Sequence, residues 1–207
     1  MKLKVQANDQ SKKIRIRKER DFKPHHFLIY AADIGLAHAE EVTKEERGIS
    51  IWTPHELTAI IFSAFALEAI GNSFGEKLVK RWKDFEGSSP IAKLRIVCAE
   101  LNIDPDFGSE PWATALWLVT FRNGVAHAKP NFIKTDDMVP VSEYTFWHLH
   151  SDPLSEIEKQ ITLENARRAV KAIREILDQF YLKIKPEERG SLFFDGSTGI
   201  ESHVETN

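Results

Sequence analysis

Cysteine is nearly absent. Cys98 is the only one in 207 residues, so no intrachain disulfide can form and the chain is no cross-linked scaffold. A lone thiol inside an apolar helical pattern reads as a small buried side chain, and such usage fits a reducing, cytoplasmic compartment. No continuous apolar run opens the chain. Met1 to Arg20 is basic and alternating, unlike a secretion signal. The most apolar stretch, Leu57 to Leu67, is too short to cross a bilayer, so no membrane partner is expected. P-loop, glycine-rich dinucleotide fingerprint and Cys/His zinc spacing are all missing, so neither cofactor nor metal is expected. His148 and His150 can share one side of a strand, but no third ligand lies near them. There is no internal repeat and no low-complexity tract.

What is present describes a globular protein. Hydrophobic residues make up 42% and charged residues 29%, which excludes a disordered chain, and the length suffices for one domain with a sizeable core. The net charge of −3 excludes a uniformly basic nucleic-acid binder. The distribution is uneven, because residues 1–23 carry nine Lys and Arg against three acids.

Lys2 to Gln6 and Lys13 to Arg17 alternate charged and apolar residues, a strand period. Asn8-Asp9 between them is turn-like, so a small hairpin is expected there. Its basic side chains form a solvated strand face or, functionally, an arm that contacts phosphates. Pro24 suits the start of a helix running to about Glu46 and stopped by Gly48, with Phe27, Tyr30, Ala31, Ile34 and Ala37 along its apolar stripe. Thr53-Pro54-His55-Glu56 is a capping box. The helix after it is apolar almost all round from Leu57 to Ile70, which predicts a central, buried element. Glu68 is its only charge in that span. A buried carboxylate needs a partner or a shifted pKa, and Arg122 is the expected partner.

Ser89 caps a further helix whose stripe is Ile91, Leu94, Val97, Cys98 and Leu101. Pro111 starts another. Residues 139–150 alternate weakly, as a strand would. Thr162 opens the last helix, with Ala166, Ala169, Val170, Ile173, Ile176, Leu177, Phe180 and Ile184 on one face. After Pro186 the composition turns to Gly, Ser, Asp and Glu, a loose tail. The expected fold is mainly α: an up-and-down bundle of four or five helices, with a minor β element near the N-terminus and around residues 139–150. The expected division is a basic arm or hairpin over 1–21, a helical domain over 22–185 and a polar tail over 186–207.

One segment carries chemistry. The hydrophobic run from Trp112 to Phe121 ends on Arg122, Asn123, Gly124 and His127, and Pro130 then stops the helix. At ~100° per residue, Asn123 and His127 share a face while Arg122 and His127 lie roughly 140° apart. Basic residues at a helix C-terminus also complement the macrodipole, so spacing alone leaves a simple cap and a functional site both open.

Arg122-Asn123-x-x-x-His127 resembles the R-N-x(3)-H form of the Arg-x(4–6)-His motif of HEPN domains (higher eukaryotes and prokaryotes nucleotide-binding). Phe62 to Asn72, an apolar helix with one acid, resembles the earlier helix of that family, and the resemblance spans Phe22 to Ile184. It implies a HEPN-like bundle, a homodimer with the motifs facing across the two-fold, and a metal-independent endoribonuclease acting on RNA, as a toxin or defence effector, with an antitoxin or regulatory protein as a further partner. Arg122, Asn123 and His127 would be catalytic, Glu68 and Lys129 supporting, and Trp117 and Phe121 would form the contact core. The alternative is a non-catalytic HEPN-like module binding RNA, nucleotide or a protein. A third reading gives the binding to the basic amino-terminal arm.

Overall fold

One helix touches almost everything else in the molecule. In the computed structural model, which describes residues 13–42, 54–145, 148, 152–194 and 196–204, the fold is mainly α. Helices α1 (Pro24–Glu41), α2 (Pro54–Leu78), α3 (Pro90–Glu100), α4 (Trp112–Ala126), α5 (Leu163–Lys183) and α6 (Pro186–Phe193) follow in order, flanked by strands β1 (Lys13–Asp21) and β2 (Gly196–Val204). Helix α2 is the hub. It packs against α1, α3, α4 and α5, so apolar residues are needed on several of its faces. Ile60, Ala64, Leu67, Ile70 and Phe74 are fully buried. The apolar element is longer than the Leu57 to Leu67 run. Its 25 residues contain a window of mean hydropathy 1.5, enough by length and composition to cross a membrane, yet 56% of that window is buried inside the protein. Packing accounts for the apolarity.

Local signals place most boundaries. Ser89 caps α3 through the Ala92 amide, and Thr162 caps α5 through the Asn165 amide. Helix α2 begins at Pro54; Thr53, the cap residue expected before it, lies outside the described residues. Leu94, Val97, Cys98 and Leu101 of α3 are buried, as are Ala166, Ala169, Val170, Ile173, Ile176 and Phe180 of α5. Burial pushes the Cys98 thiol up to about 12 from its ordinary 9.0, because an apolar surround disfavours the thiolate.

Helix α1 corrects the sequence reading twice. It ends at Glu41, with Val42 already extended, where a helix to Glu46 was expected; the β-branched pair Val42-Thr43 favours extended backbone. Residues 43–50, Gly48 among them, lie outside the described residues. The stripe of Phe27, Tyr30 and Ile34 is also exposed rather than buried. The buried face is His25, Ala32, Gly35 and Ala39. A Cβ at Gly35 would sit 2.8 Å from the Ala59 amide nitrogen, so α1 approaches the α2 backbone through its small residues. The largest apolar residues do not mark the inner face because a close helix crossing has no room for them. His25, fully buried, meets Ser73 Oγ at 3.1 Å through Nδ1 and packs on Phe74.

The chain ends also differ from expectation. β1 pairs antiparallel with β2, from Lys13 opposite Val204 to Asp21 opposite Gly196. The proposed hairpin partner Lys2 to Gln6 lies outside the described residues. The expected loose tail is instead α6 followed by β2. Leu192 is buried, and the Phe193 ring lies 5.3 Å from Phe74 and 5.1 Å from Tyr181. The Lys23 ammonium, itself buried, donates to the Phe194 carbonyl at 2.7 Å and tethers the tail to the start of α1. Among the described residues of 139–150 no strand forms: Pro140 to Glu143 is a turn, and residues 146–147 and 149–150 lie outside the description. Pro140 supplies no amide for a ladder.

Candidate functional site

The site is built where α4 crosses α2. Trp112, Thr114, Ala115, Leu118, Val119 and Phe121 bury the inner face of α4, so the residue after Phe121 is delivered to the edge of the core. That residue, Arg122, donates from Nη2 to Glu68 Oε2 at 2.8 Å. The predicted pairing is present. Glu68 is not sealed from water: its side chain is 34% exposed and that of Arg122 22%. The guanidinium also lies 6.0 Å over the Phe65 ring, a cation–π arrangement. Its Nε is buried with no hydrogen-bond partner among the described residues.

The helix runs on regularly to Ala126, and His127 is its C-cap, its amide donating to the Asn123 carbonyl at 3.0 Å. The helix is not interrupted at Gly124, whose φ is not positive. Asn123, His127 and Lys129 are all exposed. The imidazole makes no hydrogen bond among the described residues and is open to solvent, as a proton-transfer group must be. Helix geometry therefore sends Arg122 inward to Glu68 and leaves Asn123 and His127 on the outer side.

Beside them lies an open groove of about 450 Å³, lined by Leu57, Ile61, Phe62, Phe65, Val125 and Ala126 with Arg122 at its edge. Among the described residues nothing covers this apolar surface. Trp117 and Phe121, the residues expected to form a contact core, do not line it. Phe121 is buried. Trp117 donates its indole N–H to Gln160 at 2.8 Å, and the Arg168 guanidinium sits 4.5 Å over its ring. Both side chains are used within the chain.

One residue of the cluster escaped the sequence reading. Lys93 is 5% exposed, and its ammonium lies 3.9 Å from Glu68 Oε1. Its position four residues before Val97 puts it on the margin of the buried α3 stripe, which was the available signal. His148 Nδ1 is engaged by Thr145, while His150 lies outside the described residues. No group of three His, Cys, Asp or Glu able to hold a metal occurs among the described residues. No known family model, curated protein or solved structure matches the chain.

Proposed function

We propose that the protein is a metal-independent endoribonuclease of the HEPN type, cutting RNA through the RNA's own 2′-hydroxyl. The observation that carries this reading is the solvent-open His127 at the end of α4, one turn beyond a guanidinium held at Glu68. His127 is the residue type suited to take the 2′-hydroxyl proton or to protonate the leaving 5′-oxygen near neutral pH. Arg122 stabilises charge developing on the phosphoryl oxygens. Asn123 orients the imidazole or the phosphate. An internal nucleophile needs neither a metal nor an enzyme nucleophile, and it leaves a 2′,3′-cyclic phosphate.

The active form is a two-fold dimer. One protomer presents few cations at the motif and the chain is net negative, so a polyanion calls for two copies of Arg122, His127 and Lys129 around one cleft. The groove of Leu57, Ile61, Phe62 and Phe65 beside Arg122, open among the described residues, supplies an apolar contact for the second copy. The setting is cytoplasmic, and an antitoxin or regulator would cover the same face.

The test is incubation of purified protein with RNA in excess chelator. Cleavage to cyclic-phosphate ends that disappears in His127→Ala is the expected result. Cleavage that stops on chelation, or survives His127→Ala, refutes the mechanism. A second reading is a non-catalytic module, favoured by one observation: Arg122 is already engaged at Glu68 with its Nε buried, as a structural anchor would be. On that reading Arg122→Ala lowers the melting temperature and no RNA is cut.

A further inference from the structure

Glu68 stands between two cations. Its Oε2 takes Arg122 at 2.8 Å, and its Oε1 faces Lys93 at 3.9 Å. The second distance is beyond hydrogen-bond length. Among the described residues the Lys93 ammonium hydrogen-bonds nothing, although it carries three donors and no acceptor. Lys93 cannot easily retreat. Its stem is pressed onto α2, where a Cβ at Gly71 would sit 3.2 Å from Lys93 Cβ. A lysine held at 5% exposure with no protein hydrogen bond among the described residues adds little as a stability device. It does something else to the cluster: it sets its charge. With Lys93 the three groups sum to one positive charge; without it Glu68 would cancel Arg122.

We infer that Lys93 is a positioning residue of the phosphate-facing site: by placing a second positive charge 3.9 Å from Glu68 Oε1, it leaves the cluster with one uncompensated positive charge beside Arg122 for an RNA phosphate. This rests on the ribonuclease reading for the identity of the polyanion. The ligand chemistry is a phosphodiester oxygen. Glu68 is then the shared counter-ion that holds both cations still while the site is empty.

The charge count makes an ordered prediction that contact loss alone does not. Lys93→Met keeps the buried stem and makes the cluster neutral. Glu68→Gln makes it doubly positive. The double variant returns it to one positive charge. Affinity for a 2′-O-methyl RNA oligomer, which cannot be cut, is measured at several salt concentrations. The expected order is Glu68→Gln tightest, wild type and double variant alike, and Lys93→Met weakest, each unit of charge changing Kd by about fivefold and the spread shrinking with salt. If Lys93→Met fails to fold, Glu68→Gln still decides the matter, because tighter binding supports the inference and weaker binding overturns it. A double variant weaker than both singles, or an oligomer bound by none of the proteins, overturns it too. Cleavable RNA separates this from the parent reading. The full affinity order in a wild type that cuts nothing sustains Lys93 and removes the nuclease. Cleavage with affinities indifferent to cluster charge does the reverse.

Discussion

Gly35 and Gly124 both sit inside helices, and the structure assigns opposite signs to replacing them with alanine. In an open helix position, Ala is favoured over Gly by about 1 kcal/mol. At Gly124 nothing lies within 4 Å of the added Cβ, so that gain is realised. At Gly35 the Cβ would lie 2.8 Å from the Ala59 nitrogen, 3.0 Å from Thr58 Cγ2 and 3.1 Å from the His55 carbonyl oxygen. Two of those atoms are backbone of α2 and cannot rotate away. Overpacking of this kind costs ~1–3 kcal/mol, and more when backbone must move. Because backbone must move, the cost lies in the upper part of that range, about 2–3 kcal/mol, and the clash outweighs the propensity gain for a net loss of about 1–2 kcal/mol. In a domain of this size each kcal/mol shifts Tm by about 2–4 °C. Thermal melts followed by circular dichroism should show Gly35→Ala lower by roughly 2–8 °C and Gly124→Ala higher by roughly 2–4 °C. A Gly35→Ala protein that melts at or above wild type would refute the close α1–α2 crossing. Gly124→Ala carries a second readout: a more stable protein that cuts RNA less well would mean that a second copy or the substrate approaches the α4 backbone there.

Cys98 should resist alkylation at pH 8 in the native protein, because a thiol near 12 holds ~10³-fold less thiolate than one at 9.0; a native thiol reacting as fast as in denaturant would refute its burial. The same shift gives a pH dependence. The unfolded chain loses the thiol proton above about 9 while the folded chain keeps it to about 12, so the unfolded state binds fewer protons and stability falls as pH rises through that window, by on the order of 1 kcal/mol at pH 10. Denaturant titrations of wild type and Cys98→Ala at pH 8 and 10 isolate that slope, which should be present only with the cysteine. His127→Ala should abolish RNA cleavage, measured on gels, while leaving Tm within about 1–2 °C, since an exposed side chain with no partner among the described residues stabilises little; a large drop in Tm would make His127 a cap rather than a catalyst.

How much was legible follows from where each signal resides. The α3 and α5 faces were, because Leu94 to Leu101 and Ala166 to Phe180 repeat at helical spacing and Ser89 and Thr162 are caps. The Glu68–Arg122 pair was legible by elimination, as one acid in an apolar helix needs a cation and the motif offered one. The inner face of α1 was not. Phe27, Tyr30 and Ile34 satisfy the period, but Ala32, Gly35 and Ala39 set the contact, and a pattern of large apolar residues cannot report a crossing made by small ones. β2 was hidden for another reason: Gly196 to Val204 is poor in strand formers, and its partner β1 lies at the far end of the chain. Lys93 was hidden because a lysine beside an apolar stripe normally snorkels to water; only the approach of α2 at Gly71 fixes it inward.

Whether the charged cluster serves the fold or the chemistry can be decided by removing all of it. A buried or half-buried ion pair is weak evidence for stability, since its desolvation cost rivals its Coulomb gain, and apolar replacements of similar size are often neutral or stabilising by ~1–4 kcal/mol. Replacing Glu68 alone by Met strands Arg122 and Lys93 facing each other without a counter-ion, which should destabilise. Replacing Glu68, Lys93 and Arg122 together by Met removes the stranded charges and leaves flexible apolar side chains beside Phe65 and the α2–α4 groove. If the cluster exists to present charge to RNA, the triple variant melts at or above wild type and has lost RNA binding. If Arg122 is an anchor that positions α4, the triple variant melts below the Glu68→Met single, because the apolar substitutes cannot reproduce a directed guanidinium–carboxylate contact. Melting curves and RNA affinity of those two proteins separate the outcomes: a triple variant that is less stable yet still binds RNA would refute the charge-presenting account and leave Arg122 an anchor.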